Sequence, residues 1–125
     1  IIDLQKRYKD EGVAVVAINS NDAAAYPEDS FEEMVKRADM RGFNFPYLRD
    51  EDQSAARTFG AMFTPQIFVF DESRKLAYIG KVDDNWREPD KVQVRYLEAA
   101  IKEMLEGKEV SMPETYAVGC SIKWK

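Results

Sequence analysis

Apolar positions along the chain change period from block to block. Ile1, Leu4 and Tyr8 recur at helical spacing over residues 1–11, and Gly12 follows as a stop. This stretch reads as the last turns of a helix whose start lies before Ile1. The run Val13-Ala14-Val15-Val16-Ala17-Ile18 is uninterrupted, the pattern of a strand covered on both faces in a parallel α/β sheet. After the polar loop Asn19-Ser20-Asn21-Asp22, a second helix is predicted over residues 29–41. Asp29 and Ser30 are its cap candidates, and Glu32 and Glu33 are the partners that complete a capping box. Phe31, Met34, Val35 and Ala38 form its apolar stripe, which Gly42 ends. Residues 43–48 are apolar but broken by Pro46, so they read as an edge strand or an extended loop. Asp52 is placed to cap a short helix over residues 53–59, closed by Gly60.

Beyond Pro65 the pattern becomes that of a hairpin. Strands over 66–70 and 76–82 flank the polar turn Asp71-Glu72-Ser73-Arg74-Lys75. The loop Asp83-Asp84-Asn85-Trp86 leads to a last helix over 91–106, with Val94, Leu97, Ile101, Met104 and Leu105 as its buried face and Gly107 as its stop. Residues 108–125 lack periodicity and read as a tail on the surface. No internal repeat or second domain is visible, so the prediction is one domain over residues 1–125, of α/β class with a mixed sheet.

Composition narrows the function classes. A chain of 125 residues with 45% hydrophobic and 33% charged content is that of a soluble globular domain. A net charge of −5 argues against a nucleic-acid binder, and no apolar run reaches the ~18 residues of a membrane span. The chain contains no histidine, which removes Ser-His-Asp and Cys-His catalysis and His-based zinc sites. Its single cysteine, Cys120, excludes an intrachain disulfide and a Cys₄ metal site. The acidic pairs Glu28-Asp29, Glu32-Glu33 and Asp83-Asp84, and the run Asp50-Glu51-Asp52, are explained by helix caps and loops, so no metal is predicted. The chain opens on Ile1 rather than methionine, and the compartment stays open, with the cytoplasm favoured over the periplasm.

The loop Phe63-Thr64-Pro65-Gln66 closes directly onto the apolar strand Ile67-Phe68-Val69-Phe70. An X-Pro bond in such a tight turn is a candidate for the cis isomer. Together with Val13-Ala14-Val15-Val16-Ala17-Ile18-Asn19-Ser20-Asn21-Asp22, Tyr26-Pro27-Glu28-Asp29-Ser30-Phe31, Phe45-Pro46-Tyr47-Leu48-Arg49-Asp50, Phe68-Val69-Phe70-Asp71 and Gly119-Cys120-Ser121-Ile122-Lys123-Trp124-Lys125, this loop makes the chain resemble the thioredoxin-like superfamily. Within it, the chain is similar to bacterial redoxins of the alkyl hydroperoxide reductase/thiol-specific antioxidant type.

The resemblance implies a three-layer α/β/α fold with a mixed sheet, and a thiol–disulfide oxidoreductase or a thiol-dependent peroxide reductase. In that family a Cys-x-x-Cys at a helix N-terminus supplies the nucleophilic thiolate and the thiol that resolves the mixed disulfide. Here that pair is expected a few residues before Ile1. The strand that precedes it, between the counterparts of 13–18 and 66–70, is then also expected upstream. Another chain in its slot, or closure of the two strands, are the alternatives. The cis-proline loop implies that Phe63, Thr64 and Pro65 bind the substrate, although Phe63 stands where many relatives carry a cysteine. Cys120 is the candidate auxiliary thiol, with Lys123 and Lys125 nearby to favour its thiolate; the bland reading is a bystander thiol. Tyr26, Tyr47 and Trp86 read as core-edge aromatics, with a peptide groove as the alternative. The partners expected are a protein disulfide or a peroxide, plus a thiol reductant, with no cofactor, nucleic acid or membrane; a homodimer is left open. A redox-inactive module that binds peptides at the proline edge is the alternative function.

Overall fold

The computed structural model describes residues 1–85 and 87–125; Trp86, a candidate groove aromatic, lies outside the described residues. The chain divides into two compact units, Ile1–Met62 with Ile122–Lys125, and Phe63–Ser121.

In the first unit, helix α1 (Ile2–Tyr8) continues into a 3₁₀ turn, and Gly12 ends it at a φ of 84°. Leu4 and Tyr8 are buried, as is Gln5, whose amide holds the next segment. Its Nε2 donates to the Val13 carbonyl at 2.8 Å, and the Val15 N–H donates to its Oε1 at 2.6 Å. These backbone groups are thereby engaged by a side chain rather than by a strand. Strand β1 is consequently short, Ala17–Asn19, where the sequence pattern predicts regular structure over residues 13–18. Coverage on both faces is not observed either. Exposure alternates along the run, with Val16 52% and Ile18 43% exposed, because one face of β1 is left open.

Helix α2 (Phe31–Arg41) starts as its sequence predicts, with the Ser30 hydroxyl accepting from the Glu33 N–H at 3.3 Å. Met34 is its buried anchor, whereas Phe31 and Val35 are exposed. Replacing Ser30 by alanine should cost about 1 kcal/mol, the usual worth of a cap. Urea unfolding of the variant checks this, and an unshifted midpoint would remove Ser30 from the stability of α2. Strand β2 (Tyr47–Arg49) pairs parallel with β1 in the register Ala17↔Tyr47, Ile18↔Leu48, Asn19↔Arg49.

Helix α3 (Ser54–Phe59) is capped differently from the sequence expectation. The Asp52 carboxylate accepts from the Ser54 N–H at 3.0 Å, a local turn. The amides of the first helical turn, Ala55 and Ala56, donate instead to the buried Asp50 carboxylate at 3.1 and 3.0 Å. Gly60 ends the helix in the left-handed region.

In the second unit, β3 (Phe63–Thr64) precedes an antiparallel hairpin of β4 (Ile67–Phe70) and β5 (Leu76–Gly80). Asp71 closes the turn by accepting from the Ser73 and Lys75 amides at 2.8 and 2.9 Å. Tyr78 on β5 is fully buried. Helix α4 spans Tyr96–Leu105 and buries Leu97, Ala100 and Ile101. It starts later than the predicted residue 91, and Val94 and Leu105 are exposed. The cause lies in the preceding residues. The Gln93 N–H donates to the Asp84 carboxylate at 3.0 Å and the Asp84 N–H to the Val94 carbonyl at 3.1 Å, which hold that segment out of the helix. Strand β6 (Cys120–Ser121) lies antiparallel to β3.

The fold is therefore α/β and mixed, with a parallel strand pair in one unit and antiparallel pairs in the other. No helix among the described residues is long and apolar enough to cross a membrane.

Candidate functional site

Phe63, Thr64 and Pro65 stand at the start of the second unit, and the Thr64–Pro65 peptide is cis. Phe63 is half-buried, while Thr64 and Pro65 are exposed. The Phe63 N–H donates to the Gln66 Oε1 at 3.3 Å, so the side chain that follows the proline ties the loop back on itself.

The feature that sequence reasoning missed is the partner of this loop. Strand β6 pairs Phe63 with Ser121 and Thr64 with Cys120. The candidate docking residue and the chain's sole thiol thus face each other across a two-residue antiparallel ladder, and Cys120 is free and exposed. Gly119 makes this approach feasible. A Cβ there would overlap the Thr64 carbonyl oxygen, and would sit 3.0 Å from its carbon and 3.2 Å from Pro65 Cδ. The glycine immediately before the cysteine was the one available signal, because a residue without a Cβ often marks close backbone approach.

Beside the proline an open cleft of about 270 Å³ is lined by Pro65 and Val118 and by the charged Lys81, Asp83, Asp84 and Arg87. The Gln93 amide holds the Asp84 carboxyl below its ordinary range. Upstream of β6, the Thr115 N–H donates to the Ile79 carbonyl and the Ile79 N–H to the Pro113 carbonyl, both at 3.0 Å. The segment 108–125, which the sequence presents as a surface tail, is thus fastened by specific backbone bonds.

In the first unit, the loop 19–22 holds the last residues of the chain. The Lys123 N–H donates to Asn21 Oδ1 at 2.8 Å, and the Asp22 N–H to the Lys123 carbonyl at 2.7 Å. The fully buried Gln53 adds three bonds. Its Nε2 donates to the Ser20 and Lys123 carbonyls, each at 2.9 Å, and its Oε1 accepts from the Lys125 N–H at 3.2 Å. The two lysines near Cys120 in sequence point to other groups. Lys123 Nζ lies 5.6 Å from the Tyr26 ring centre, and Lys125 Nζ lies 3.6 Å from a Glu51 carboxylate oxygen. The Tyr47 hydroxyl accepts from Arg37 at 3.1 Å within this unit, and the half-buried Arg49 pairs with Glu51 at 3.0 Å.

Comparison with known proteins agrees with the sequence pattern. A family model described as Redoxin matches residues 1–99. An uncharacterized conserved protein from Geobacillus kaustophilus, known from a crystal structure, is 44% identical with a TM-score of 0.91; the match covers 99% of this chain and 66% of that one. A hypothetical protein from Sinorhizobium meliloti 1021 is 40% identical, also with a TM-score of 0.91, over 99% of this chain and 68% of that one. The chain thus spans about two thirds of the length of these solved relatives. No curated protein matches it.

Proposed function

Since this chain belongs to the redoxin family of the thioredoxin-like superfamily, we propose that it is a thiol–disulfide oxidoreductase whose polypeptide substrate docks along Phe63 and Thr64. The observation that supports a polypeptide over a peroxide is the ladder itself: the Thr64 edge holds an extended, thiol-bearing segment in antiparallel register. A peroxide has no backbone to pair with such an edge, whereas an extended peptide adds to it as a strand.

The chemistry that this site serves is thiol–disulfide exchange. A thiolate attacks one sulfur of the substrate disulfide, forms a mixed disulfide and releases the first substrate thiolate. A second thiol, on losing its proton, attacks the mixed disulfide, releases the second substrate thiolate and leaves an intramolecular disulfide that a thiol reductant reopens. On this reading the attacking pair lies outside the given residues, whose sole cysteine is Cys120. The residues in hand orient the substrate. Thr64 offers its backbone, Pro65 shapes the loop, and Gln66 engages the Phe63 amide.

The test compares turnover of a peptide disulfide with consumption of hydrogen peroxide by the intact protein. The peptide disulfide is expected to be the faster substrate, and Pro65→Ala should lower its kcat/KM by about tenfold, the worth of one well-placed hydrogen bond. Faster peroxide consumption would turn the assignment to a peroxide reductase. Reaction with neither above the thiol background would leave a redox-inactive peptide-binding module. Equal rates for wild type and Cys120→Ser would exclude Cys120 from the chemistry.

A further inference from the structure

We propose that residues 119–121 are a tethered occupant of the docking edge, and that an extended peptide binds at Thr64 only by displacing them. The inference rests on the reading of Phe63 and Thr64 as the docking edge, and adds how access to that edge is regulated and which peptides fit it.

The backbone groups on one side of an edge strand pair with one neighbour at a time. On β3 that neighbour is β6, with Thr64 opposite Cys120 and Phe63 opposite Ser121. This is the arrangement in which an extended peptide adds to a sheet edge, so the chain's own segment and an incoming peptide compete for the same pairing. The contact also reaches past the ladder. Gly119 lies so close to the Thr64–Pro65 peptide that a Cβ would overlap the Thr64 carbonyl oxygen. The occupant therefore covers the Thr64–Pro65 junction that leads into β4, and it covers it with a glycine because a Cβ there would overlap the Thr64 carbonyl oxygen.

The same segment is built to leave. Its ladder is two residues long, and Gly119, Cys120 and Ser121 are all exposed. Short, solvent-exposed pairings of this kind open at little free-energy cost, while the rest of a fold stays closed. The flanking chain does not leave with it. Thr115 is bonded to Ile79 on one side, and on the other the Ile122 N–H donates to the Met62 carbonyl at 3.0 Å. A segment fastened at both ends returns to its site at an effective concentration of roughly millimolar, so it weakens competitors without excluding them. The occupant also defines its competitors: extended segments with glycine directly before the residue that faces Thr64, and a thiol-bearing residue fits that facing position.

The test uses a fluorescent peptide copying residues 116–122 with serine in place of the cysteine, which removes disulfide chemistry from the measurement. Its anisotropy is followed on the intact wild-type protein and on Gly119→Val, alongside exchange of the Cys120 amide in both, since Cys120 is at a hydrogen-bonded position of the ladder whereas the Ser121 amide faces away. In the wild type this amide should be protected and the peptide should bind weakly, and saturating peptide should remove the protection. In Gly119→Val the Cys120 amide should be unprotected and the peptide should bind roughly tenfold more tightly or better. A peptide with valine for its glycine should lose that gain. An unprotected Cys120 amide in the wild type would overturn the inference, as would peptide binding that leaves its protection intact. The docking reading survives those two results. A Gly119→Val protein with a released Cys120 amide and no gain in binding would sink the docking edge, and this inference with it. Because displacement is read in the wild type, misfolding of the variant does not block the test.

Discussion

Replacing Tyr78 by alanine is expected to destabilise the protein by about 4 kcal/mol, the usual size of a buried aromatic truncation. Tyr78 is fully buried on β5 and is the largest such side chain among the described residues. Its hydroxyl is also fully used. It donates to the Lys81 carbonyl and lies 2.7 Å from Thr115 Oγ1, which accepts from the Lys81 N–H at 2.9 Å. One assignment of protons satisfies all of these groups, with Tyr78 donating to Lys81 and the Thr115 hydroxyl donating to Tyr78. Gly80 completes the packing, since a Cβ there would overlap Thr115 Oγ1. Tyr78→Phe keeps the ring but removes the donor to the part-buried Lys81 carbonyl and the partner of the Thr115 hydroxyl proton, at about 1–2 kcal/mol. Urea unfolding should therefore rank wild type above Tyr78→Phe and Tyr78→Ala lowest. If phenylalanine and alanine prove equally damaging, the hydroxyl network rather than the ring carries the stability.

The same burial gives a pH dependence at the alkaline end. Removal from water pushes the Tyr78 phenol above its ordinary value, more strongly than its bonds to Thr115 and Lys81 pull it down. The unfolded chain therefore releases this proton first. The stabilisation is complete below the unfolded pKa of about 10 and is lost as the pH rises through the folded value. Unfolding midpoints measured upward from neutral pH should fall more steeply in the wild type than in Tyr78→Phe.

Local punctuation in the sequence was readable because it acts through nearest neighbours. Gly12, Gly42 and Gly60 each end a helix in the left-handed region, and Ser30 caps α2 through an amide three residues away. What escaped the sequence was set by groups distant along the chain. Gln5 holds the backbone at Val13 and Val15, so a continuous apolar run yields a strand of only three residues. Asp52 has the spacing of a cap, yet the buried Asp50 reaches the helix amides because Gln53 adopts a φ of 61° between them. The candidate site divides in the same way. Phe63, Thr64, Pro65 and Cys120 could be named as candidates through the resemblance to redoxins. The register that sets Cys120 opposite Thr64 was not, because a two-residue strand carries no periodicity from which its partner can be inferred.

Asp50 is the second position where one substitution should have a large effect, about 3 kcal/mol for Asp50→Ala, as for breaking a buried polar cluster. Its carboxylate accepts from the Ser20 hydroxyl at 2.7 Å and from the Ala55 and Ala56 amides at 3.1 and 3.0 Å. A helix as short as α3 has little stability of its own, so these bonds decide whether it forms. Burial by itself would push the Asp50 carboxyl up, but the Ser20 hydroxyl and the Ala56 and Ala55 amides together hold it below its ordinary value of 3.8. A depressed folded value means that the stabilisation is present above about pH 4 and is lost as the pH falls through the folded value. Acid unfolding of the wild type should therefore be steeper than that of Asp50→Asn, which carries no proton-linked charge there. The effect should also travel to the chain terminus. Gln53 directly precedes α3 and holds the Lys123 carbonyl and the Lys125 amide. In Asp50→Ala the amides of Lys123 and Lys125 should exchange faster than in the wild type, while those of Tyr78 and Ile79 keep their protection; uniform loss of protection would show that Asp50 supports the whole molecule rather than α3 and the segment it holds.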